Sequence, residues 1–415
     1  MPEATRTVTA REAAALLGVS LPTLYAYVSR GLLRSEPGEG GTRARRYRRD
    51  DIDTLRARKE VRREPARAAE GALDYGMPVL DSAITLIDDG RLFYRGHDAL
   101  QLAQERSFEE VAALLWTGDF AADALFAGSA PGEGAAGAAR DLPAPAHPIE
   151  RCQAALALAA VDDLAAWQYT PLATARAGSR ILHLLTGVIS GAAPAQFTAD
   201  PVTGEPGTGA IARALAAAWA PESPDAAALL SAALILCADH ELNVSAFTAR
   251  CVASAGSPPY AVVLAALSAL QGYKHGGHTA QAAALLAAAE AHGARAAVAD
   301  RLREGDRPAG FGHVLYPDGD PRARWLLAAL AARHPQAASV QAAGELCAVV
   351  EAALGLHPTV DLALAALAAA LAAPAHSPLA IFALGRTAGW IAHAIEQYAL
   401  DAIIRPRARY VGVRV

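Results

Sequence analysis

The run LLSAALILCADHE, residues 229–241, poses the question of the fold. Apolar text broken by a single serine stops abruptly at an Asp, a His and a Glu. The apolar stretch at 225–238 is too short to cross a bilayer core, which needs ~20 apolar residues. It reads instead as a helix buried within a protein interior, since it presents no polar face. The stretch 360–373 has the same length and character. Charged groups at the end of such a helix are costly unless something pairs with them or binds them.

Working outward, segments 107–116, 150–160, 224–240, 260–271, 322–333 and 380–398 carry apolar residues at i, i+3 and i+4, the helical repeat. Ser107 with Glu110 three residues on forms a capping box. One exception, SAITLIDDGRLFYRG at 82–96, alternates around Asp88-Asp89-Gly90 and predicts a β-hairpin. Residues 126–147 are rich in Gly, Ala and Pro and predict a loop. From about residue 75 onward the chain is expected to be all-α.

With 415 residues, 53% of them hydrophobic and 19% charged, the chain has material for two or three domains and a large core, which excludes a disordered protein. Cys152, Cys237, Cys251 and Cys347 lack metal-ligand spacing and read as reduced thiols. The opening residues MPEATRTVTAREAAALL lack the layout of a secretion signal, so a cytoplasmic location is expected. No dinucleotide fingerprint, P-loop or internal repeat is present.

The net charge of −5 is unevenly spread. Residues 1–70 hold 15 Lys+Arg against 10 Asp+Glu, a basic head on an acidic body. In the head, Thr9 and Glu12 make a capping box, Ala13, Leu16 and Leu17 give an apolar stripe, and Gly18 stops the helix. Ser20 caps a second helix with Pro22 in its first turn, and Gly31 ends it. A Gly-rich tip at Gly38, Gly40 and Gly41 leads to a basic, strand-like stretch at 43–49, and a third helix begins at Asp50-Asp51. Two short helices about a Gly turn form the helix-turn-helix pattern.

The succession A-x-x-L-G-V-S-x-x-T-L-x-x-Y…G-L-L…R-x-Y-x-x-x-D-I over residues 7–56 resembles the MerR-type winged-helix DNA-binding domain. That resemblance implies that Thr23, Tyr25 and Tyr27 face double-stranded DNA and that Arg43, Arg45, Arg46 and Arg48 form a wing. A helix N-terminus with small polar residues can approach base edges and phosphates, and arginines supply phosphate contacts that weaken with salt. A head that only joins subunits is the alternative. The charged residues 60–74 read as a linker.

In the body, several polar residues stand out in apolar text. They are His240, His275 in Lys274-His275-Gly276-Gly277-His278, His313 in GFGH, Arg322 in DPR, Asp361 in PTVDLALAAL, Arg386 in ALGRTAGW, and Arg405 and Arg407 in IIRPRARYVG. Each alone could be a cap or a satisfied core group. Lysine occurs only as Lys59 and Lys274, which makes the second, beside a histidine and two glycines, conspicuous. Several arginines together suit a di- or tricarboxylate, because the guanidinium fork matches a carboxylate. Glycines beside His275 and His313 permit close backbone approach. An aspartate among aliphatic residues is pushed toward the pKa of a useful general base.

FYRGHDALQLAQERSFEEVAALLWTGDF, ADHELNVSAFTAR, HGGHTAQ, GFGHVLYPDGDPRAR, PTVD, GRTAGWIAHAIEQ and RPRARYVG, in this order across residues 78–415, resemble citrate synthase. The resemblance implies a helical fold with a large domain (75–275 and 373–415) and a small domain (276–372), preceded by the head (1–59). It implies a homodimer that condenses an acyl-CoA, usually acetyl-CoA, with oxaloacetate, without cofactor, metal or membrane. Carried over, Asp361 removes the methyl proton, His275 donates to the thioester oxygen, and His313 polarises the ketone. His240, Arg322 and Arg386 hold oxaloacetate, and Arg405 reaches the partner's site.

The chain departs from the family in places. Pro317, Asp318 and Gly319 stand where basic residues often reach CoA. Gly272-Tyr273-Lys274-His275-Gly276-Gly277-His278-Thr279 replaces G-P-x-H-G-G-A-N, and Leu362-Ala363-Leu364-Ala365 follows the aspartate. A 2-methylcitrate synthase using propionyl-CoA, and a metabolite-sensing regulator with weak or no turnover, remain as alternatives.

Overall fold

A computed structural model describes residues 7–30, 32–37, 45–49, 51–52, 55, 80–127, 135, 137, 139, 142–143, 146–191 and 209–413. The chain divides into two compact units, Met1–Asp81 and Ser82–Val415. The expected linker at 60–74, Gly31, the tip glycines, Arg43 and Asp50 lie outside the described residues.

The first unit holds β1 (Thr7–Thr9), α1 (Ala10–Leu17), α2 (Leu21–Ser29), β2 (Ser35–Pro37) and β3 (Arg45–Arg48). The strands form an antiparallel sheet in the order β1-β3-β2. Thr9 and Glu12 make the expected capping box, and Gly18 ends α1 at φ 59°. Ser20 precedes α2 as expected, but its hydroxyl bonds Thr23 Oγ1 at 2.9 Å instead of a backbone N–H. Leu17, Leu24, Leu33, Tyr47 and Ile52 close a small core between helices and sheet.

The second unit opens with the hairpin β4 (Thr85–Asp88) and β5 (Arg91–Tyr94), extended by β6 (His97–Asp98). Asp89 and Gly90 adopt positive φ, the geometry of a two-residue turn that matches strand twist. Helices follow: α3 (Ala99–Glu105), α4 (Phe108–Thr117), α5 (Asp123–Phe126), α6 (Pro148–Asp162), α7 (Pro171–Ser190), α8 (Ala210–Trp219), α9 (Ala226–Leu236), α10 (Val244–Ser254) and α11 (Pro259–Leu270). Then come α12 (Gly277–His292), α13 (Ala294–Arg303), α14 (Pro321–Arg333), α15 (Ala338–Leu354), α16 (Val360–Ala370) and α17 (Ser377–Leu400). Ala135, Gly137 and Ala139 are helical, within a stretch expected to be loop. Ser107 and Glu110 cap α4 as a box.

The buried helix expected from 225–238 is α9, nearly all of whose residues are hidden. α17 is the other deep element, packed against α4, α7, α9, α10 and α11. Helices α12 to α16 pack mainly on one another, and α12, α14 and α16 also meet the helices around them. Among the described residues, no helix is long and apolar enough to cross a membrane.

Candidate active site

The chain leaves α9 in a tight loop that is fixed from several sides. Tyr94 Oη donates to the Ile235 carbonyl at 3.0 Å. Asp239, fully buried, accepts from Thr85 Oγ1 at 2.6 Å and from the Glu241 N–H at 3.2 Å, and lies 3.2 Å from His393 Nε2. The Gly389 N–H donates to the Ala238 carbonyl at 3.0 Å. A side chain at 389 would bring a Cβ within 2.4 Å of that oxygen, so glycine is what lets α17 lie against the loop. The same approach places Arg386 beside it. Its Nε–H donates to the Cys237 carbonyl at 2.8 Å, and no other acceptor among the described residues takes a hydrogen bond from it. This buried guanidinium keeps its outer edge for something else.

The stretch 310–322 forms the facing wall. The Gly312 N–H donates to the His357 carbonyl and the Thr359 N–H to the Gly310 carbonyl, both at 2.8 Å. This bridge sets the loop beside the start of α16. Gly310 has φ 83°, and a Cβ there would lie 3.1 Å from Ala282 and Leu362 Cβ atoms. Asp320 caps α14, grips the Arg322 guanidinium through both oxygens (2.9 and 2.8 Å), and accepts the Val360 N–H at 3.1 Å. One carboxylate thus ties Arg322 to the helix that begins beside Asp361. Asp361 lies in the first turn of α16, with Thr359 Oγ1 donating to its Oδ2 at 3.1 Å.

His313 Nδ1 accepts from the Leu315 N–H at 3.1 Å, so the neutral ring carries its proton on Nε2. His240 and His313 meet edge to face with centroids 5.2 Å apart. His275, on the turn before α12, has Nε2 2.9 Å from Ser245 Oγ, which also receives Trp390 Nε1–H at 3.2 Å. The His275 and Phe382 rings meet at right angles with centroids 5.9 Å apart, and the Arg386 guanidinium lies over the Phe382 ring at 4.6 Å. The structure thus brings His240, His313 and Arg322 together, links Arg322 to α16 and Asp361 through Asp320, and links His275 to Arg386 through Phe382.

The electrostatics separate the carboxyl group from the histidines. Burial holds the Asp361 carboxyl above the usual aspartate range, against the Thr359 hydrogen bond and the Arg322 charge. Burial, then the charge of Arg386, pushes His275 down to about 4. Burial, then Arg322, pushes His313 down to about 4. Burial with Arg322 and Arg386 holds His240 well below the usual histidine range. All three imidazoles are therefore neutral donors or acceptors at neutral pH.

A stability consequence follows from their sign. Unfolded histidines take up protons near pH 6.5, which the folded His275 and His313 rings refuse until about pH 4. Their share of stability is complete above pH 6.5 and is lost as pH falls toward 4. Asp361 has the opposite sign, since its raised pKa favours the fold only while the carboxyl is protonated. Melting temperatures measured across pH 4 to 7 are expected to fall toward acid, and His275→Asn is expected to flatten that slope.

The remaining expected residues are dispersed. Arg405 is exposed in the segment after α17 and makes no hydrogen bond or ion pair among the described residues. In the head, Tyr25 is exposed, Thr23 is half-buried, and Tyr27 packs against the small core. Arg45 is exposed and donates to Ser35 Oγ at 2.7 Å. Arg46 donates to both Thr7 oxygens, and Arg48 lies 3.9 Å from Glu36. The wing arginines are thus partly engaged by the head itself.

Three residues of this site escaped the sequence reading. Ser245 and Asp320 are ordinary capping types, and their neighbours His275 and Arg322 were the only hints. Tyr316, 2% exposed, has its hydroxyl 3.0 Å from His240 Nε2. It stands three residues after His313, a spacing that carries no signal in a loop.

Neutral histidines, a carboxyl raised by burial and buried arginines set in a helical scaffold are groups that can transfer protons and pair with carboxylates. Comparison with known proteins specifies the class. Residues 73–407 match the family model for "Citrate synthase, C-terminal domain", and residues 7–60 match "Helix-turn-helix domain". A citrate synthase of Haloferax volcanii is 33% identical over 373 residues, covering 84% of this chain and 96% of that protein. A 2-methylcitrate synthase of Corynebacterium glutamicum is 28% identical, covering 81% and 94%. The ternary complex of Thermoplasma acidophilum citrate synthase with carboxymethyl coenzyme A and oxaloacetate aligns with TM-score 0.67 and 25% identity, covering 82% and 95%. The chain belongs to the citrate synthase family, and it is an enzyme of that type, an acyltransferase with a helix-turn-helix head.

Proposed function

We propose that this chain condenses acetyl-CoA with oxaloacetate, giving citrate and CoA. The observation that carries the reading is Asp361, a carboxyl raised by burial at the start of α16 and tied through Asp320 to the Arg322 side of the pocket. A thioester α-proton is weakly acidic. Asp361 removes it while His275, neutral and steadied by Ser245, donates to the forming enolate oxygen. His313, with its proton on Nε2, polarises the ketone and protonates the new alkoxide. His240, Arg322 and Arg386 hold the two carboxylates of oxaloacetate, and the free edge of Arg386 suits one of them. Hydrolysis of the thioester then releases CoA. Side chains carry the condensation with no cofactor or metal, and the hydrolysis consumes one water.

Residues 276–372 form the small domain of this reading and close over the remainder, which excludes water until the carbon–carbon bond exists. Two chains form a homodimer in the cytoplasm, with Arg405 completing the partner's carboxylate clamp. The Corynebacterium relative keeps 2-methylcitrate synthesis as a second reading. Steady-state rates with acetyl-CoA and propionyl-CoA, with mass identification of the product, decide between them. A kcat/KM that favours propionyl-CoA overturns the first.

The head binds double-stranded DNA in this reading, and a dimer presents two heads to a two-fold operator. Tyr25 and Arg45 are its exposed contact candidates. Arg45→Ala is expected to weaken binding about equally across sequences and to lower the salt slope by about one charge. Titrations at several salt concentrations check this, and an unchanged slope removes Arg45 from the interface.

A further inference from the structure

Tyr316 lies among the residues proposed to hold the oxo acid without being one of them. Two successive turns fix its backbone: its N–H donates to the His313 carbonyl, and its carbonyl accepts from Gly319, each at 3.0 Å. Its ring lies 5.0 Å from His313, 5.5 Å from His240, and 5.6 Å from the Arg322 guanidinium carbon. Its hydroxyl meets His240 Nε2 at 3.0 Å, the one hydrogen bond of that hydroxyl among the described residues. A single buried side chain therefore touches two histidines and an arginine that come from two stretches, the loop 239–241 and residues 313–322, which run from a loop into α14.

We propose that Tyr316 is a positioning residue for the oxo-acid half of the reaction, setting His240, His313 and Arg322 in one arrangement before oxaloacetate enters. The inference rests on the proposed synthase function. Its physical content is preorganisation. Three groups must meet two carboxylates and a ketone at once, and each would otherwise have to be ordered on binding. The hydroxyl fixes the rotation of the His240 ring, because a neutral imidazole offers one donor and one acceptor and this bond occupies one of them. The ring limits how far His313 and Arg322 can turn. The phenol is held up to about 12 by burial, so it keeps its proton throughout the working range.

The bond also joins residues 76 apart in the chain, so it holds the two walls of the site in register before the oxo acid enters. The hydroxyl touches His240, a binding group, while the ring is what meets His313. Loss of the hydroxyl alone is therefore felt in oxaloacetate binding rather than in the chemical step.

Tyr316→Phe keeps the ring and deletes the hydroxyl. Three readouts on the full-length chain test the proposal: oxaloacetate affinity by calorimetry, the two KM values, and kcat. Expected are about 5- to 10-fold weaker oxaloacetate binding and a matching rise in its KM, the scale of one hydrogen bond. The KM for acetyl-CoA and kcat stay within about twofold. The oxaloacetate-induced rise in melting temperature shrinks, while the ligand-free melting temperature stays near the native value. Tyr316→Leu, which also removes the ring contacts, loses more affinity than Tyr316→Phe. Unchanged oxaloacetate affinity in Tyr316→Phe overturns the inference, as does a fall in kcat with both KM values unchanged. If the native chain turns over but Tyr316→Phe is indistinguishable from it, the inference alone fails. If the native chain neither binds oxaloacetate nor turns over, the synthase reading fails and the inference with it.

Discussion

Asp361→Ala is expected to lower kcat by about a hundred- to ten-thousand-fold, the share a positioned general base contributes. Oxaloacetate affinity should survive, because the arginines and His240 remain. Folding should survive as well, for a reason of sign. Burial raises the Asp361 carboxyl, so at neutral pH its charged form lowers stability rather than adding to it. Removing the group leaves the melting temperature unchanged or higher. A loss of activity accompanied by a fall in melting temperature would show a structural role for Asp361 and no catalytic one. The native kcat should also fall as pH drops through the raised Asp361 pKa, above the range of an ordinary aspartate. His275 and His313 stay neutral to about pH 4 and set no limb at higher pH.

Arg386→Leu is expected to raise the KM for oxaloacetate about 100- to 1000-fold, the scale of a lost charge-assisted, forked pair with a carboxylate. The acetyl-CoA KM should change far less. Leucine removes a buried cation but leaves the Cys237 carbonyl without its donor, so the two effects on stability oppose each other. Arg386→Lys restores charge without the planar fork and is expected to recover only part of the affinity. The measurement is the pair of KM values for each variant. Equal losses toward both substrates would place Arg386 outside the oxo-acid pocket.

Much of the fold was legible because local chemistry and tertiary packing agree. The capping boxes at Thr9 and Ser107, the turn at Asp89-Gly90 and the all-round apolar run of α9 each point to a single local structure, and the structure contains each of them. Ser20 shows the limit. Its type suits a cap, yet its hydroxyl pairs with Thr23 because a nearby side chain competes for it.

The site was legible where charged or titratable residues interrupt apolar text, as at His240, Asp361 and Arg386, since burial without a purpose is costly. It was not legible where a residue acts through contacts made across the chain. Asp320 joins Arg322 to Val360 forty positions on, and Tyr316 reaches back to His240. Neither pairing has a spacing that a sequence can display. The wing arginines mark a related gap: charge pattern alone does not tell Arg46, bound to Thr7, from Arg45, which lies exposed.

The most direct test of the account is thiol release by the purified full-length chain given acetyl-CoA and oxaloacetate, with controls that omit either substrate. The expected result is CoA release that requires both substrates, forms citrate in equal amount and disappears in Asp361→Ala. CoA release no faster than the uncatalysed background, from a folded chain that receives both substrates, would contradict it.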